Sequence, residues 1–167
     1  MGRYCRHCQV VLGTSRAAGF TLPELLAVIA IVAIGALIAM PSLRDALVAQ
    51  RVRAAATDLT SSLLLARSEA IKRRGQVRVE PRTVDDWTTG WQVVGVADGD
   101  QIDRKDHLGE GVQVGRAPGG IVYERNGRLT SPGLVRVEIA DPDSALRTRC
   151  VTIDPSGLPR LATGLCP

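Results

Sequence analysis

Aromatic side chains make up only 3% of the 167 residues: one Phe, two Trp and two Tyr. A platform for single-stranded nucleic acid needs rings on which bases can stack, so that class is excluded. Histidine is limited to His7 and His107, and His107 stands in an acidic stretch where it reads as a solvated side chain rather than a general base. No catalytic set presents itself, so the chain is not expected to be an enzyme. No glycine-rich phosphate loop is present either, which assigns any ATP hydrolysis to another protein. Asp85-Asp86 and the acids between Asp98 and Glu110 do not follow the spacing of an EF-hand loop. No metal and no cofactor are expected. Repeats and low-complexity tracts are absent, and no acid at all precedes Glu24.

What the chain does have is one long apolar run. From Phe20 to Met40 only Glu24 is charged. At about 1.5 Å per helical residue this stretch spans roughly 31 Å, the hydrocarbon thickness of a bilayer. It reads as a membrane-spanning helix. A secretory signal peptide places its cleavage site after the apolar region, beside small residues. Here the small residue, Gly19, precedes the apolar region, behind a short polar leader carrying Arg3, Arg6 and Arg16.

Gly19-Phe20-Thr21-Leu22-Pro23-Glu24 resembles the prepilin peptidase site of type IV pilins and type II secretion pseudopilins. The resemblance implies cleavage after Gly19, N-methylation of the new terminal Phe20, and retention of the span. Pro41, just past the run, also matches a helix-breaking proline common in those proteins. A carboxylate within a span costs about 2.5 to 3.5 kcal/mol on insertion scales, so Glu24 calls for a partner. The resemblance implies the free amine of Phe20 on a neighbouring subunit. The other reading of Glu24 is a helix-start acid favoured by the helix dipole and snorkelling to the interface.

The leader takes three arginines with it. The whole chain has 21 Lys and Arg against 17 Asp and Glu, so removing Arg3, Arg6 and Arg16 leaves 18 against 17. The mature protein is nearly neutral, and overall basicity does not point to nucleic acid. By the positive-inside rule the leader faces the cytoplasm. Its Cys5-Arg6-His7-Cys8 offers three zinc-type ligands with no second pair on the same side, and reads as incidental. Cys150 and Cys166 lie beyond the span, in a compartment where a disulfide can form and persist. Bridged, they would close a loop of about 15 to 17 residues, worth roughly 3 kcal/mol in the chain-entropy account; the alternative is two free buried thiols.

Past the bilayer, Leu43, Leu47, Val52, Ala56, Leu59, Leu63, Ala66 and Ile71 recur at helical steps, opposite Arg44, Asp45, Arg51, Arg53, Asp58, Arg67, Lys72 and Arg73. The helix is expected from Phe20 to about Arg74, with bends at Gly35 and Pro41 and a C-cap at Gly75. Beyond Gly75 the period changes from helical to alternating. Strands are expected around Val77–Val79, Trp91–Val94, Val112–Val114 and Leu134–Ile139, with Ala97 to Gly111 as a surface loop. Asn126-Gly127 predicts a hairpin pairing Gly120–Arg125 with Arg128–Thr130. Another hairpin pairs Cys150–Ile153 with Leu158–Ala162 across Asp154-Pro155-Ser156-Gly157.

The run Ala66-Arg67-Ser68-Glu69-Ala70-Ile71-Lys72-Arg73-Arg74-Gly75, with Gly90-Trp91-Gln92-Val93 and Asn126-Gly127-Arg128, resembles the GspH/FimT family of minor pilins and pseudopilins. The resemblance implies an α+β, type IV pilin-like fold: a long N-terminal helix packed on a small, mostly antiparallel β-domain. The expected organisation is a cleaved leader (1–19), a transmembrane helix half (20–41), an amphipathic helix half (42–75) and a periplasmic β-rich domain (76–167). The implied partners are other pilin or pseudopilin subunits, prepilin peptidase and an inner-membrane assembly platform. The expected location is the inner membrane, single-pass, and then a pilus or pseudopilus.

The implied work is that of a minor pilin priming or capping a type IV pilus, with the minor pseudopilin of type II secretion as the alternative. Some relatives bind DNA through a basic, glycine-containing C-terminal segment during DNA uptake. Here Arg147, Arg149 and Arg160 are the candidates, with Arg128 and Arg136 nearby. Gly157-Leu158-Pro159-Arg160 keeps only one glycine and one arginine of the relatives' pattern, and arginines on strand edges also discourage sheet-to-sheet pairing.

Overall fold

The computed structural model describes residues 20–167, and the chain divides into two compact units, one ending at Met40 and the other beginning at Pro41. Helix α1, Leu22–Arg73, contributes its N-terminal part to the first unit and the remainder to the second.

In the first unit, Leu22–Met40 is long and apolar enough to cross a membrane, and none of it is buried. Its side chains present apolar surface all round, with Leu22, Ile31, Leu37 and Ile38 each at least 70% exposed. A helix that is apolar on every face needs an apolar surrounding, lipid or other helices.

In the second unit, the buried stripe of α1 is Val52, Ala55, Ala56, Leu59, Leu63, Ala66 and Ala70. Apart from the adjacent pair Ala55-Ala56, these positions advance by three and four residues, so they stay on one face of a 3.6-residue helix. Three apolar positions expected on that face are instead exposed: Leu43 (62%), Leu47 (46%) and Ile71 (48%). Ile71 follows Ala70 by about 100° around the helix and so leaves the stripe. Leu43 and Leu47 precede Val48, the first residue of α1 that packs against the core.

The end of α1 departs from expectation in another way. Arg74, not Gly75, takes the left-handed conformation, with φ of 53°. Gly75 N–H donates to the Ala70 carbonyl at 3.2 Å and Arg74 N–H to the Ile71 carbonyl at 3.3 Å. That pair of bonds is a Schellman cap, in which the left-handed residue is the one just outside the helix.

Eight strands follow: β1 Val77–Thr83, β2 Asp86–Gly95, β3 Gln101–Lys105, β4 Gln113–Gly115, β5 Ile121–Tyr123, β6 Val135–Asp141, β7 Ser144–Ile153 and β8 Pro159–Thr163. They form two four-stranded sheets, β3-β2-β1-β5 and β4-β6-β7-β8, and every pairing is antiparallel. One core joins them to the helix stripe: Val77, Val79, Trp91, Val93 and Tyr123 from the first sheet, and Val137, Ile139, Val151 and Ile153 from the second. This is the α+β, pilin-like arrangement expected of the sequence.

Three local expectations need correction. The stretch Ala97 to Gly111 contains β3, whose pairing with β2 places Trp91 opposite Lys105 and Val93 opposite Asp103. A half-exposed edge strand with Ile102 as its lone apolar residue carries little alternation to detect. Arg128–Thr130 does not form a strand: it contributes a single bridge, Tyr123 to Leu129, while β5 pairs with β1. Strand β7 begins at Ser144 rather than Cys150, because Asp143 N–H donates to Asp141 Oδ1 at 2.9 Å and turns β6 directly into β7.

A side chain in the left-handed region is strained by roughly 1 to 2 kcal/mol, and glycine removes that strain at some cost in chain entropy. Arg74→Gly is therefore expected to stabilise the β-domain by about 1 kcal/mol in urea unfolding followed by tryptophan fluorescence.

Candidate functional site

Two regions carry the residues expected to work: the start of α1 and the Cys150–Cys166 end. At the first, Phe20 is 76% exposed and Thr21 stands at the N-cap of α1. Leu25 N–H donates to the Thr21 carbonyl at 3.1 Å, and Thr21 N–H donates to Glu24 Oε2 at 3.4 Å. Thr21-Leu22-Pro23-Glu24 thus forms half of a capping box, with the acid three residues past the cap reaching back to its amide. The Thr-x-x-Glu spacing was readable as such a box and supplies Glu24 with a local partner besides the helix dipole. Gly19 lies outside the described residues, as do Arg3, Arg6, Arg16, Cys5 and Cys8.

At the other end, Cys150 and Cys166 form a disulfide with their Cα atoms 5.1 Å apart, across a separation of 16 residues. Both are buried, Cys150 at 1% and Cys166 at 5% exposure, yet neither belongs to the helix-facing core. Cys150 is on β7, and the tail bearing Cys166 crosses back over the sheet. Cys166 N–H donates to Glu138 Oε2 on β6 at 3.1 Å, and Arg116 Nη1 donates to the Cys166 carbonyl at 3.0 Å. The turn between β7 and β8 is built on Asp154. Its Oδ1 accepts both the Ser156 hydroxyl and, at 2.8 Å, the Ser156 amide. Those bonds favour the ionised carboxyl and lower its pKa from the ordinary aspartate value.

The three candidate arginines have different surroundings. Arg147 donates to Asp141 Oδ2 at 2.9 Å and to Asp45 Oδ2 at 3.1 Å, and it also reaches the Asp45 carbonyl at 3.4 Å. The Asp141 side chain is only 3% exposed, so Arg147 neutralises a buried carboxylate and ties α1 to the β6–β7 turn. Arg149 donates to the Thr148 carbonyl at 2.9 Å. Arg160, on β8, is exposed. Arg136 stands opposite Thr152, which in turn faces Arg160 across β7 and β8. The structure therefore joins Arg136 and Arg160 in one row and sets Arg147 apart.

The residues that carry the downstream resemblance form structural joints. Trp91 Nε1–H donates to Ser62 Oγ at 3.0 Å, and Ser62 Oγ–H donates to Asp103 Oδ2 at 3.1 Å. This buried chain links β2, α1 and β3, and Ser62 gave no sign in the sequence beyond its place within the helix stripe. Gly90, with φ of 98°, leaves no room for a Cβ beside the backbone of Lys105 and Asp106. Arg67 Nε donates to the Gly127 carbonyl at 3.0 Å. Gly127 has φ of 75°, and a Cβ there would meet Ile71 Cδ1 at 2.7 Å. The Asn126-Gly127-Arg128 turn is thus wedged against the helix. Beside it the Tyr123 hydroxyl is buried with no hydrogen-bond partner among the described residues, and desolvation raises its pKa. Among the described residues no group of three or more His, Cys, Asp or Glu side chains could hold a metal ion.

The family model of Type II transport protein GspH matches residues 55–157. The chain belongs to that family. The prokaryotic N-terminal methylation motif matches residues 14–40. No curated protein sequence matches the chain. Among solved structures, the type IV minor pilin FimU of Pseudomonas aeruginosa is similar in two crystal forms. One has a TM-score of 0.59 at 21% identity over 70% of this chain and 90% of FimU. The other has 0.56 at 24% identity over 66% and 91%. The minor pseudopilin EpsH of the Vibrio cholerae type 2 secretion system gives 0.47 at 21% identity over 68% and 97%. These likenesses concern the fold. Family membership with the methylation motif and the apolar span makes the chain a membrane-associated, non-catalytic subunit that assembles with others of pilin or pseudopilin type.

The disulfide constrains the unfolded chain across the segment holding the last hairpin. Replacing both Cys150 and Cys166 with Ala is expected to cost about 3 kcal/mol in the chain-entropy account. Urea unfolding of the variant, and of the native chain with and without reductant, checks this.

Proposed function

We propose that the chain is a minor pilin that primes or caps a type IV pilus. Prepilin peptidase cleaves after Gly19, Phe20 becomes the methylated N-terminus, and the apolar helix holds the subunit in the inner membrane as a single pass. The domain from Pro41 onward then lies on the periplasmic side, from which an inner-membrane assembly platform draws the subunit into a filament. The observation that carries this reading is an exposed Phe20 four residues before the sole charge of an otherwise apolar, unburied stretch of α1, Leu22–Met40. An acid in that position is costly in lipid and is relieved by the amine of a neighbouring mature N-terminus. The Cys150–Cys166 bridge supports the periplasmic side, since disulfides persist in oxidising compartments. The FimU likeness supports the minor pilin reading at the level of fold.

A second reading, the minor pseudopilin of type II secretion, draws its support from the family description. Deleting the gene separates the two: lost piliation with intact protein secretion supports the first, and the reverse supports the second.

The capping bond at Glu24 decides which substitution tests assembly. Glu24→Gln keeps an acceptor for Thr21 N–H, as glutamine serves equally in a capping box, but removes the charge. It is expected to leave cleavage after Gly19 intact and to reduce incorporation into sheared filaments. Normal incorporation would refute the pairing with a neighbour's amine.

A DNA contact fits the geometry less well. Arg147 is engaged by two carboxylates, which leaves Arg149 and Arg160 of the three. Two phosphate contacts give a salt slope of about −1.8, or roughly a twelvefold loss of affinity between about 50 and 200 mM salt. Full-length protein titrated with duplex DNA is expected to weaken by no more than that; a steeper fall would show that further arginines reach phosphate.

A further inference from the structure

We propose that the outer edge of β8 receives an extended strand from a neighbouring pilin-type subunit, with an acidic residue of that strand set against Arg160. The proposal rests on the chain's working as a filament subunit. It begins with backbone geometry. In the β7–β8 ladder Thr152 faces Arg160, Val151 faces Leu161, Cys150 faces Ala162 and Arg149 faces Thr163. Gly164 N–H donates to the Thr148 carbonyl at 2.9 Å, in the same register. Antiparallel ladders alternate bonded and non-bonded pairs, so the bonded pairs are those of Gly164, Ala162 and Arg160. The N–H and carbonyl groups of Leu161 and Thr163 therefore point away from β7, into the open edge.

The other sheet edges are managed differently. Beside β5, the chain from Arg128 to Thr130 returns and bonds: Glu124 N–H donates to the Arg128 carbonyl at 2.8 Å and Thr130 N–H to the Val122 carbonyl at 3.0 Å. Strand β4 is only three residues long. Strand β3 carries Asp103, Arg104 and Lys105, with Asp103 held by Ser62 and Lys105 by Asp58. Short strands, charges and covering segments are the usual means of blunting an edge. Strand β8 has five residues, of which 160–163 are exposed, and Arg160 is its single charge. The tail that follows could have covered it, but the bonds of Cys166 to Cys150 and Glu138 take that tail across the sheet face instead.

The side chains indicate what the incoming strand carries. Leu161 is 44% exposed and Leu165 62%, which suits apolar side chains at alternate positions. Arg136 and Arg160 lie in one cross-strand row, and neither forms an ion pair among the described residues. The Arg136 Nε is buried and unpartnered. Asp154, which feels the Arg160 charge, already accepts two bonds from Ser156. A partner strand with a carboxylate in this row supplies an acceptor for Arg160, its immediate cross-strand neighbour. Strand β8 of a second copy, Pro159–Thr163, contains no acidic residue, so pairing β8 with β8 would bring no carboxylate to Arg160.

The test uses full-length protein in cells that assemble the filament, with p-benzoylphenylalanine introduced at Thr163 in one variant and at Leu26 in another. Irradiation is expected to yield adducts with another pilin-type subunit from both positions, with mass spectrometry placing the Thr163 adduct on an extended segment. Adding Leu161→Pro removes the outward N–H without touching a β7–β8 bond. It is expected to lower the Thr163 adduct about fivefold, the equivalent of one hydrogen bond, while leaving the Leu26 adduct unchanged. Arg160→Glu, which alters only an exposed side chain, should lower it as well and covers the case in which the proline variant does not fold. Adducts from Leu26 but none from Thr163, an unchanged Thr163 adduct in the folded variants, or a Thr163 adduct with DNA, lipid or a second copy would overturn the edge proposal alone. Absence of adducts from both positions would overturn the filament reading with it.

Discussion

The β-domain depends on one stripe of α1 serving two sheets at once. Val52, Leu59 and Leu63 supply bulk, while Ala55, Ala56, Ala66 and Ala70 keep the helix surface low enough for both sheets to approach. Neither sheet has another apolar layer among the described residues, so strand pairing alone would leave each with an uncovered face. Twisted four-stranded sheets with one uncovered apolar face are poorly stable in water, and a common helix resolves this for both. The polar bonds then fix the register of the assembly. Trp91, Ser62 and Asp103 join β2 to the helix and to β3, Arg67 holds the Asn126-Gly127 turn, and Arg147 holds the β6–β7 turn through Asp45 and Asp141.

This division explains what could be read in the sequence. The apolar run before Met40, the amphipathic continuation of the helix and the strongly alternating strands β1, β6 and β7 depend on local pattern, and pattern is a local property of the chain. The exact helix face was misplaced at Leu43, Leu47 and Ile71 because a stripe is cut off wherever its cover ends, and the cover comes from strands distant in sequence. Strand β3 was missed because a polar edge strand exists through its partner β2, not through its own composition. Gly75 looked like the cap because glycine favours the left-handed conformation, yet the bond pattern places that conformation one residue earlier, at Arg74.

The candidate site was legible to different depths at its two ends. Around Glu24 the motif and the chemistry it implies stand in six consecutive residues, and the capping box was available in the same letters. Around Cys150 the pairing with Cys166 was accessible from compartment and spacing, but the fates of the arginines were not. Arg147 and Arg160 are both arginines in a strand-rich tail; only the fold reveals that one meets a carboxylate contributed by Asp45, 102 positions earlier, while the other faces solvent.

The residues that carry the family resemblance and the residues that would distinguish one member's task therefore lie in different places. Gly90, Trp91, Arg67 and Gly127 are constrained by contacts inside the domain, where a change of side chain disturbs packing whatever the protein assembles with. They report the fold and cannot report the partner. The last strand is under no such internal demand. Leu161 and Thr163 use their side chains little in the core, and the disulfide behind them holds the sheet face without covering its edge. An element fixed from one side and open on the other can change its outward residues at small cost to stability, because exposed substitutions usually shift folding by no more than about 0.5 kcal/mol. Partner choice can thus vary along β8 while the joint between helix and sheets is kept.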